Sequence, residues 1–361
     1  MTEREQQILN IIKSDPMISQ QALADMLDIS RSAVASHINN LNAKGIIKGR
    51  GYVIAEDQFC VAVGGANIDI LGLPDFKTEP ETSTPGKVSS SLGGVGRNIA
   101  ENIARLGDRC YLIAPVGNDA RGKQLIEQST QAGILTSHMI TLDGHSTSCY
   151  LSIVDEGGEM QLAVADMDIL EHLTPTMLKK HLPLLHQAKL VVADTNLSPS
   201  VLHFLFEHLP EQAIFVDTVS VAKAVKILPF LSSIHTLKPN LLEAQTLAGF
   251  NIESDEKLPT LAQWFHDQGV KRIFISLGAR GVYFSNGETQ GLVTLPPVDI
   301  CNTNGAGDAM MAALCHSYLD GKSINESAYY SLAAANSALS TPSTINPNLS
   351  VFAIEQQLKD Q

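Results

Sequence analysis

The chain has few charges, no long apolar run and no paired cysteines. Only 17% of its 361 residues are Asp, Glu, Lys or Arg, while 44% are hydrophobic, which suits a large buried core and something smaller beside it. No apolar run reaches the roughly 18 residues of a membrane span, and Met1-Thr2-Glu3-Arg4-Glu5 carries no hydrophobic leader, so a cytoplasmic location without membrane contact is expected. Cys60, Cys110, Cys149, Cys301 and Cys315 lack the spacing of a zinc site or a redox pair. They are expected to be buried free thiols. Alkylation of Cys301, beside a glycine segment, is expected to block activity without this thiol being a nucleophile.

Positive charge is scarce in all but the first part of the chain. Residues 1–55 carry six Lys/Arg against five acids, whereas the rest carry 19 against 33, so the balance passes from +1 to −14 near residue 56. This change marks a domain boundary. Within residues 1–55, Ile8, Leu9, Ile11 and Ile12 recur at helical spacing until Asp15-Pro16. Ser19 caps a second helix through Leu27, and Ser30 caps a third running to about Ala43. Residues 46–54 read as a two-stranded hairpin with a basic tip. The ensemble resembles the winged-helix domain of bacterial transcription regulators. That resemblance implies a recognition helix bearing Arg31, Ser32, Ser36, His37 and Asn40, with Lys48 and Arg50 on a wing near DNA phosphates. A net +1 is a weak footprint for DNA, and small three-helix modules also serve as dimerisation or docking domains. A homodimer would double the footprint.

From residue 58 onward, short β-rich runs alternate with amphipathic helices. Strands are predicted at Phe59–Val63, Cys110–Pro115, Leu190–Ala193, Ile214–Val216, Ile234–Leu237 and Ile273–Leu277. The alternation implies an α/β fold, a mostly parallel sheet with helices on both faces, whose ligands bind beyond the carboxyl ends of the strands. Gly64-Gly65-Ala66-Asn67-Ile68-Asp69 follows the first strand and sets an amide and a carboxylate at alternate positions, suited to vicinal hydroxyls. Gly93-Gly94-Val95-Gly96-Arg97-Asn98 opens a helix. Taken singly, each of these segments fits a capped turn equally well. Later strands end in Asp194-Thr195-Asn196, in Asp217-Thr218-Val219-Ser220 and in Lys238-Pro239-Asn240. Asn240 and Glu243 are three apart at a helix start, so they share a face and could hold magnesium through water. Ser276, Gly278 and Gly281 form a glycine turn suited to nucleotide phosphates. Arg97 and Lys238 fit a role near the acceptor or the phosphates, or ion pairs with surface acids.

No Walker sequence is present, yet Asn302-Thr303-Asn304-Gly305-Ala306-Gly307-Asp308 supplies the parts of phosphoryl-transfer chemistry. An apolar strand-like run ends near Ile300 and a helix-forming stretch begins at Ala309, so the glycines are expected at a strand-to-helix turn. There the free amides of the first helical turn favour anionic oxygens, and Asp308 can take a proton from a substrate hydroxyl.

Residues 58–361 strongly resemble the ribokinase-like, or PfkB, family of sugar and nucleoside kinases, through the early Gly93-Gly94 with Asn98 and the late Gly305-Ala306-Gly307-Asp308. The resemblance implies that Asp308 is the catalytic base and that Gly305, Ala306 and Gly307 form an anion hole. It further implies that Asn240 and Glu243 organise Mg²⁺, that Asn67, Asp69, Gly93, Gly94 and Asn98 hold ribose hydroxyls, and that Ser276, Gly278, Gly281 and Asn304 lie along ATP. Phrases such as Gly65 to Asp69, Thr147 to Ser152 and His235 to Asn240 look like those of pseudouridine kinases, implying phosphorylation of the 5′-hydroxyl of pseudouridine. On that reading Asp166, Ser148 and Asn196 contact the base. A kinase for ribose or another nucleoside, and a regulator that senses a nucleoside through a kinase-like domain, are the competing readings. Most family members carry Asp where Asn302 stands and Thr where Asn304 stands, at a monovalent cation site. Losing the formal charge weakens such a site, and potassium dependence stays open. Segments 70–91 and 146–164, the latter a predicted hairpin, are expected to leave the main sheet as a lid, which in this family often pairs with a second subunit.

Overall fold

The computed structural model describes residues 1–15, 18–44, 46–47, 58–78, 81–155 and 159–359. The chain divides into two compact units, Met1–Asp57 and Gln58–Gln361.

In the first unit, helices span Glu3–Ser14, Gln20–Leu27 and Arg31–Ala43. Each starts on a side-chain cap: Thr2 in a reciprocal box with Glu5, Ser19 accepting from the Ala22 amide, and Ser30 accepting from the Ala33 amide. Ile8, Ile12, Leu23, Val34, Ile38 and Leu41 close over one another as the core. The expected hairpin with Lys48 and Arg50 lies outside the described residues, apart from Ile46 and Ile47.

The strands of the second unit are, in chain order, β1 (Phe59–Val63), β2 (Asn67–Pro74), β3 (Gly86–Gly93), β4 (Arg109–Ile113), β5 (Pro115–Gly117), β6 (Ile140–Leu142) and β7 (Cys149–Val154). They continue with β8 (Met160–Asp166), β9 (Leu190–Asp194), β10 (Ala213–Asp217), β11 (Thr236–Lys238), β12 (Arg272–Ser276), β13 (Val282–Ser285) and β14 (Gln290–Val293). Eight of them form the main sheet in the order β14-β13-β12-β11-β10-β9-β1-β4. From β4 to β12 all pairings are parallel; β13 and β14 continue as antiparallel strands at one edge. Because successive side chains point to opposite faces, Cys60 and Ala62 of β1 join one apolar cluster while Phe59, Val61 and Val63 join the other. Both faces are therefore covered, and polar groups emerge at the strand ends.

A second sheet, β3-β2-β7-β8, stands apart from the first. It contains much of both segments expected to form a lid. Its outward face carries Val88, Leu162 and Val164, all exposed.

The structure corrects the expectation of a strand running into the glycine segment. β14 ends at Val293, and residues 294–300 belong to no strand. Pro296 and Pro297 have no N–H to give a ladder, so the approach to Asn302 is an irregular connection.

Candidate active site

The carboxyl ends of three neighbouring strands supply a row of charged side chains. Asp194 ends β9, Asp217 ends β10 and Lys238 ends β11, and the register sets Asp217 opposite both of the others. All three are buried. Asp194 accepts from the Gly65 and Asn196 amides, each at 2.8 Å; burial raises its pKa and these hydrogen bonds oppose the rise. Lys238 Nζ lies 2.9 Å from Asp217 Oδ2. Burial alone would lower the lysine pKa, but Asp217, Asp308 and Glu243 outweigh it, so the ammonium is held charged.

Above this row begins the helix Ala306–Leu319. Its N-cap is Gly305, in the left-handed region with φ 81°, where a Cβ would overlap the carbonyl oxygen of Thr344. No side chain caps this end, so the N–H groups of Ala306, Gly307 and Asp308 have no intrahelical acceptor, an arrangement suited to an anion. Asp308 is only 9% exposed, and its Oδ2 accepts from Asn98 Nδ2 at 2.9 Å. Burial, then repulsion from Asp217, pushes the Asp308 pKa up to about 8; Asn98 and Lys238 pull it partly back. A carboxyl so poised is suited to general-base work near neutrality.

Asn98 arrives on the helix Val95–Arg105, whose N-cap Gly94 has φ 97° and would put a Cβ 2.5 Å from the Ala66 Cα. Only glycine lets the helix start this close to the loop after β1. The result is a pocket of about 240 Å³ lined by Asn67, Asp69, Gly94 and Asn98. Asn67 Nδ2 donates to Asp69 Oδ1 at 2.5 Å, and Gly93 leaves room for the Asp69 carboxylate. Burial raises the Asp69 pKa, opposed by Asn67 and by Arg97. Of the three expected base contacts, Asn196 lines this pocket. Asp166 is exposed at the end of β8, opposite Cys149, and Ser148 is buried with its Oγ unpaired.

Asn240 and Glu243 form a reciprocal helix cap. Asn240 Oδ1 accepts from the Glu243 amide and Glu243 Oε2 from the Asn240 amide, both at 2.9 Å, while Thr218 Oγ1 donates to Glu243 Oε2 at 2.5 Å. Asp217, Glu243 and Asp308 thus surround Lys238, and this surplus of negative charge fits a bound divalent cation. Among the described residues no three His, Cys, Asp or Glu side chains are placed to hold one together. Such an ion would rely on water and phosphate oxygens, as magnesium commonly does. Ser276 bridges to Asn240, and Gly278 and Gly281 turn the chain with φ 62° and 94°. Asn302 uses both ends of its amide: Nδ2 donates to the Pro342 carbonyl at 3.1 Å and Oδ1 accepts from the Asn304 amide at 2.9 Å. Its uncharged oxygen is thus already engaged at the expected monovalent cation site.

Residues 57–350 match the pfkB family carbohydrate kinases. The chain belongs to that family. As a pfkB kinase it is an ATP-dependent phosphotransferase. It is 43% identical to an uncharacterised sugar kinase of Escherichia coli, over 97% of both chains, and 39% identical to the pseudouridine kinase of the same organism, over 82% of this chain and 95% of that protein. Among solved structures, a carbohydrate kinase from Agrobacterium tumefaciens superposes with a TM-score of 0.75 at 29% identity, covering 84% of this chain and 97% of the other. Arabidopsis thaliana ribokinase, solved with ribose and ATP, shares the fold with a TM-score of 0.76 at 23% identity, covering 84% and 99%. Residues 1–48 match the winged helix-turn-helix DNA-binding family.

In that N-terminal unit Arg31, Ser32, Ser36 and Asn40 are exposed on the third helix, His37 is half-buried, and Val34, Ile38 and Leu41 face the core. Asn39, which the sequence did not single out, is also exposed on this helix. In the pfkB unit Arg97 pairs with no surface acid among the described residues. It is 4% exposed and bonded to buried Glu101, which also holds Arg105. The expectation that all five thiols are buried fails for Cys301, which the proline-bearing connection leaves exposed.

Proposed function

We propose that this pfkB kinase transfers the γ-phosphoryl group of ATP to the 5′-hydroxyl of pseudouridine. The observation that carries the reading is Asp308, buried and bonded to Asn98 at the pocket that Asn67 and Asp69 line, with the free amides of Ala306 and Gly307 beside it. Asn67, Asp69 and Asn98 orient the ribose by its hydroxyls. Asp308 accepts the proton of the 5′-hydroxyl as its oxygen attacks, and the Gly305–Gly307 turn and Lys238 steady the charge on the transferring group. Magnesium, when bound with the nucleotide, would neutralise charge on the phosphate oxygens, held through water by Asn240 and Glu243. The β3-β2-β7-β8 sheet serves as the lid that keeps water from ATP, and its apolar outward face suits pairing with a second copy.

The test is ADP release by purified protein with ATP and Mg²⁺ across pseudouridine, uridine, cytidine, inosine, adenosine, ribose and fructose. Asp308-dependent turnover that prefers pseudouridine supports the reading; a preference for ribose or another nucleoside replaces the substrate.

A second activity rests on the winged helix-turn-helix match and on the exposed polar face of the third helix. There Arg31, Ser32, Ser36 and Asn40 would meet base edges and phosphates in a major groove. Selection of bound sequences from a random DNA pool by the full-length protein tests it. No enriched sequence at low salt would leave the unit a docking module.

A further inference from the structure

The pocket that Asn67, Asp69 and Asn98 line is bounded as well by Tyr150, Met167, Leu170, Asn196, Val219 and Lys223. None of these six is needed to hold ribose or to move a proton. Four of them, Tyr150, Met167, Leu170 and Val219, offer apolar or aromatic surface to a flat ring. Lys223 Nζ donates to Asn196 Oδ1 at 2.6 Å, and Asn196 in turn is anchored by its backbone amide on Asp194 Oδ1. Neighbouring Lys226 is spent on the Thr195 and Leu197 carbonyls, both at 3.0 Å. Lys223, by contrast, has a neutral amide oxygen as partner and no carboxylate among the described residues. It is half-buried, with donor protons to spare at a pocket wall.

The backbone that presents it is unusual. Val219 has φ 57°, the left-handed region that a β-branched residue rarely adopts, and its amide is held by Asp217 Oδ1 at 2.9 Å. This turn places Val219 on the pocket wall and starts the short helix Val221–Ala224 that carries Lys223. The same aspartate that pairs with Lys238 therefore shapes the wall bearing Lys223.

We infer that Lys223 and Asn196 are a donor–acceptor pair that reads the lactam edge of a nucleobase, a carbonyl beside a ring N–H. The lysine, a donor only, takes the carbonyl oxygen. Asn196 Oδ1 keeps a lone pair after accepting from Lys223 and takes the adjacent N–H. The favoured substrate class is nucleosides of uracil type, in which carbonyl and ring N–H alternate. A base whose ring N–H is methylated would forfeit the hydrogen bond to Asn196 Oδ1 and set a methyl group against that oxygen, and is disfavoured. The inference rests on the nucleoside reading above and adds which residues select the base.

The experiment measures kcat and KM of the full-length enzyme for pseudouridine, N1-methylpseudouridine and N3-methylpseudouridine, together with the affinity for ribose, which has no base. Wild type is expected to disfavour at least one methylated nucleoside by 100-fold or more. Lys223→Met is expected to raise the KM for pseudouridine about 10- to 100-fold with a smaller change in kcat, to shrink the methyl discrimination, and to leave ribose affinity within about twofold. Lys223→Arg, which keeps a charged donor, is expected to recover most of the loss, and the KM for ATP reports whether each variant is folded. Turnover of pseudouridine by wild type with an unchanged KM and unchanged methyl discrimination in Lys223→Met overturns the inference alone. So does an equal loss of ribose affinity, which would make Lys223 a prop for the whole pocket. Absence of nucleoside turnover in wild type removes the nucleoside reading, and the inference with it.

Discussion

Asn98 and Asp308, 210 residues apart in the chain, share a hydrogen bond of 2.9 Å that ties the wall of the pocket to the carboxylate proposed as the base. The bond favours the ionised carboxylate and works against burial and Asp217, which hold the proton on. Asn98→Leu is therefore expected to raise the Asp308 pKa further. In a profile of kcat against pH with saturating substrate, the ascending limb moves to higher pH, and turnover at pH 7 falls about 10-fold or more. A limb that stays where wild type has it would show that this amide does not tune the base.

Asp308→Asn is expected to lower kcat by about 10²- to 10⁴-fold, the usual worth of a general base. Its effect on stability has a sign that can be fixed in advance. An aspartate whose folded pKa is raised from 3.8 to about 8 contributes stability that is complete below about pH 4 and is lost as pH rises through about 8. The asparagine variant escapes that loss. Thermal melts between pH 5 and pH 9 should thus show the variant gaining on wild type as pH rises, and parallel curves would contradict the burial of an uncompensated charge.

The two glycines of the turn should differ when a methyl group is added. At Gly305 the backbone is left-handed and a Cβ would overlap the Thr344 carbonyl, so Gly305→Ala is expected to cost about 2 kcal/mol or more and to abolish turnover. At Gly307 the nearest obstacle to a Cβ is the flexible end of Lys238, at 3.2 Å. Gly307→Ala is expected to melt near wild type while slowing phosphoryl transfer by displacing the ammonium. Equal melting temperatures for the two variants would count against this picture.

Glu243 joins structure to chemistry, and two substitutions separate them. Glu243→Ala removes the glutamate half of the helix cap, worth about 1 kcal/mol, and leaves the buried Thr218 hydroxyl only the longer contact to the Lys238 carbonyl, at 3.4 Å. Glu243→Gln keeps an oxygen for the cap but loses the charge. The glutamine variant should recover most of the melting temperature yet keep a KM for ATP raised about 10-fold at limiting Mg²⁺. If both variants bind ATP and Mg²⁺ as wild type does, Glu243 is a cap alone.

Much of the architecture was legible because the physics is local. Alternating short apolar runs and amphipathic stretches placed the six parallel strands of the main sheet to within a few residues, and Ser19 and Ser30 announced their helices. The connection before Asn302 misled because its apolar content looks like a strand, while Pro296 and Pro297 deny it a ladder. The pairing of Asp217 with Lys238 depends on strand order, which composition does not reveal. Lys223 was invisible for a related reason: it stands four residues after Val219, and nothing in the sequence says that Val219 adopts a left-handed turn.

The row Asp194, Asp217, Lys238 has a consequence for how this chain can vary. The three side chains meet because β9, β10 and β11 end in step. One residue inserted into any of these strands would turn its terminal charge to the opposite face and strand its neighbours in the interior, at a cost of several kcal/mol. Substitutions can be absorbed within these strands, but changes of length cannot, so insertions and deletions among relatives should collect in the connections and spare these three strands.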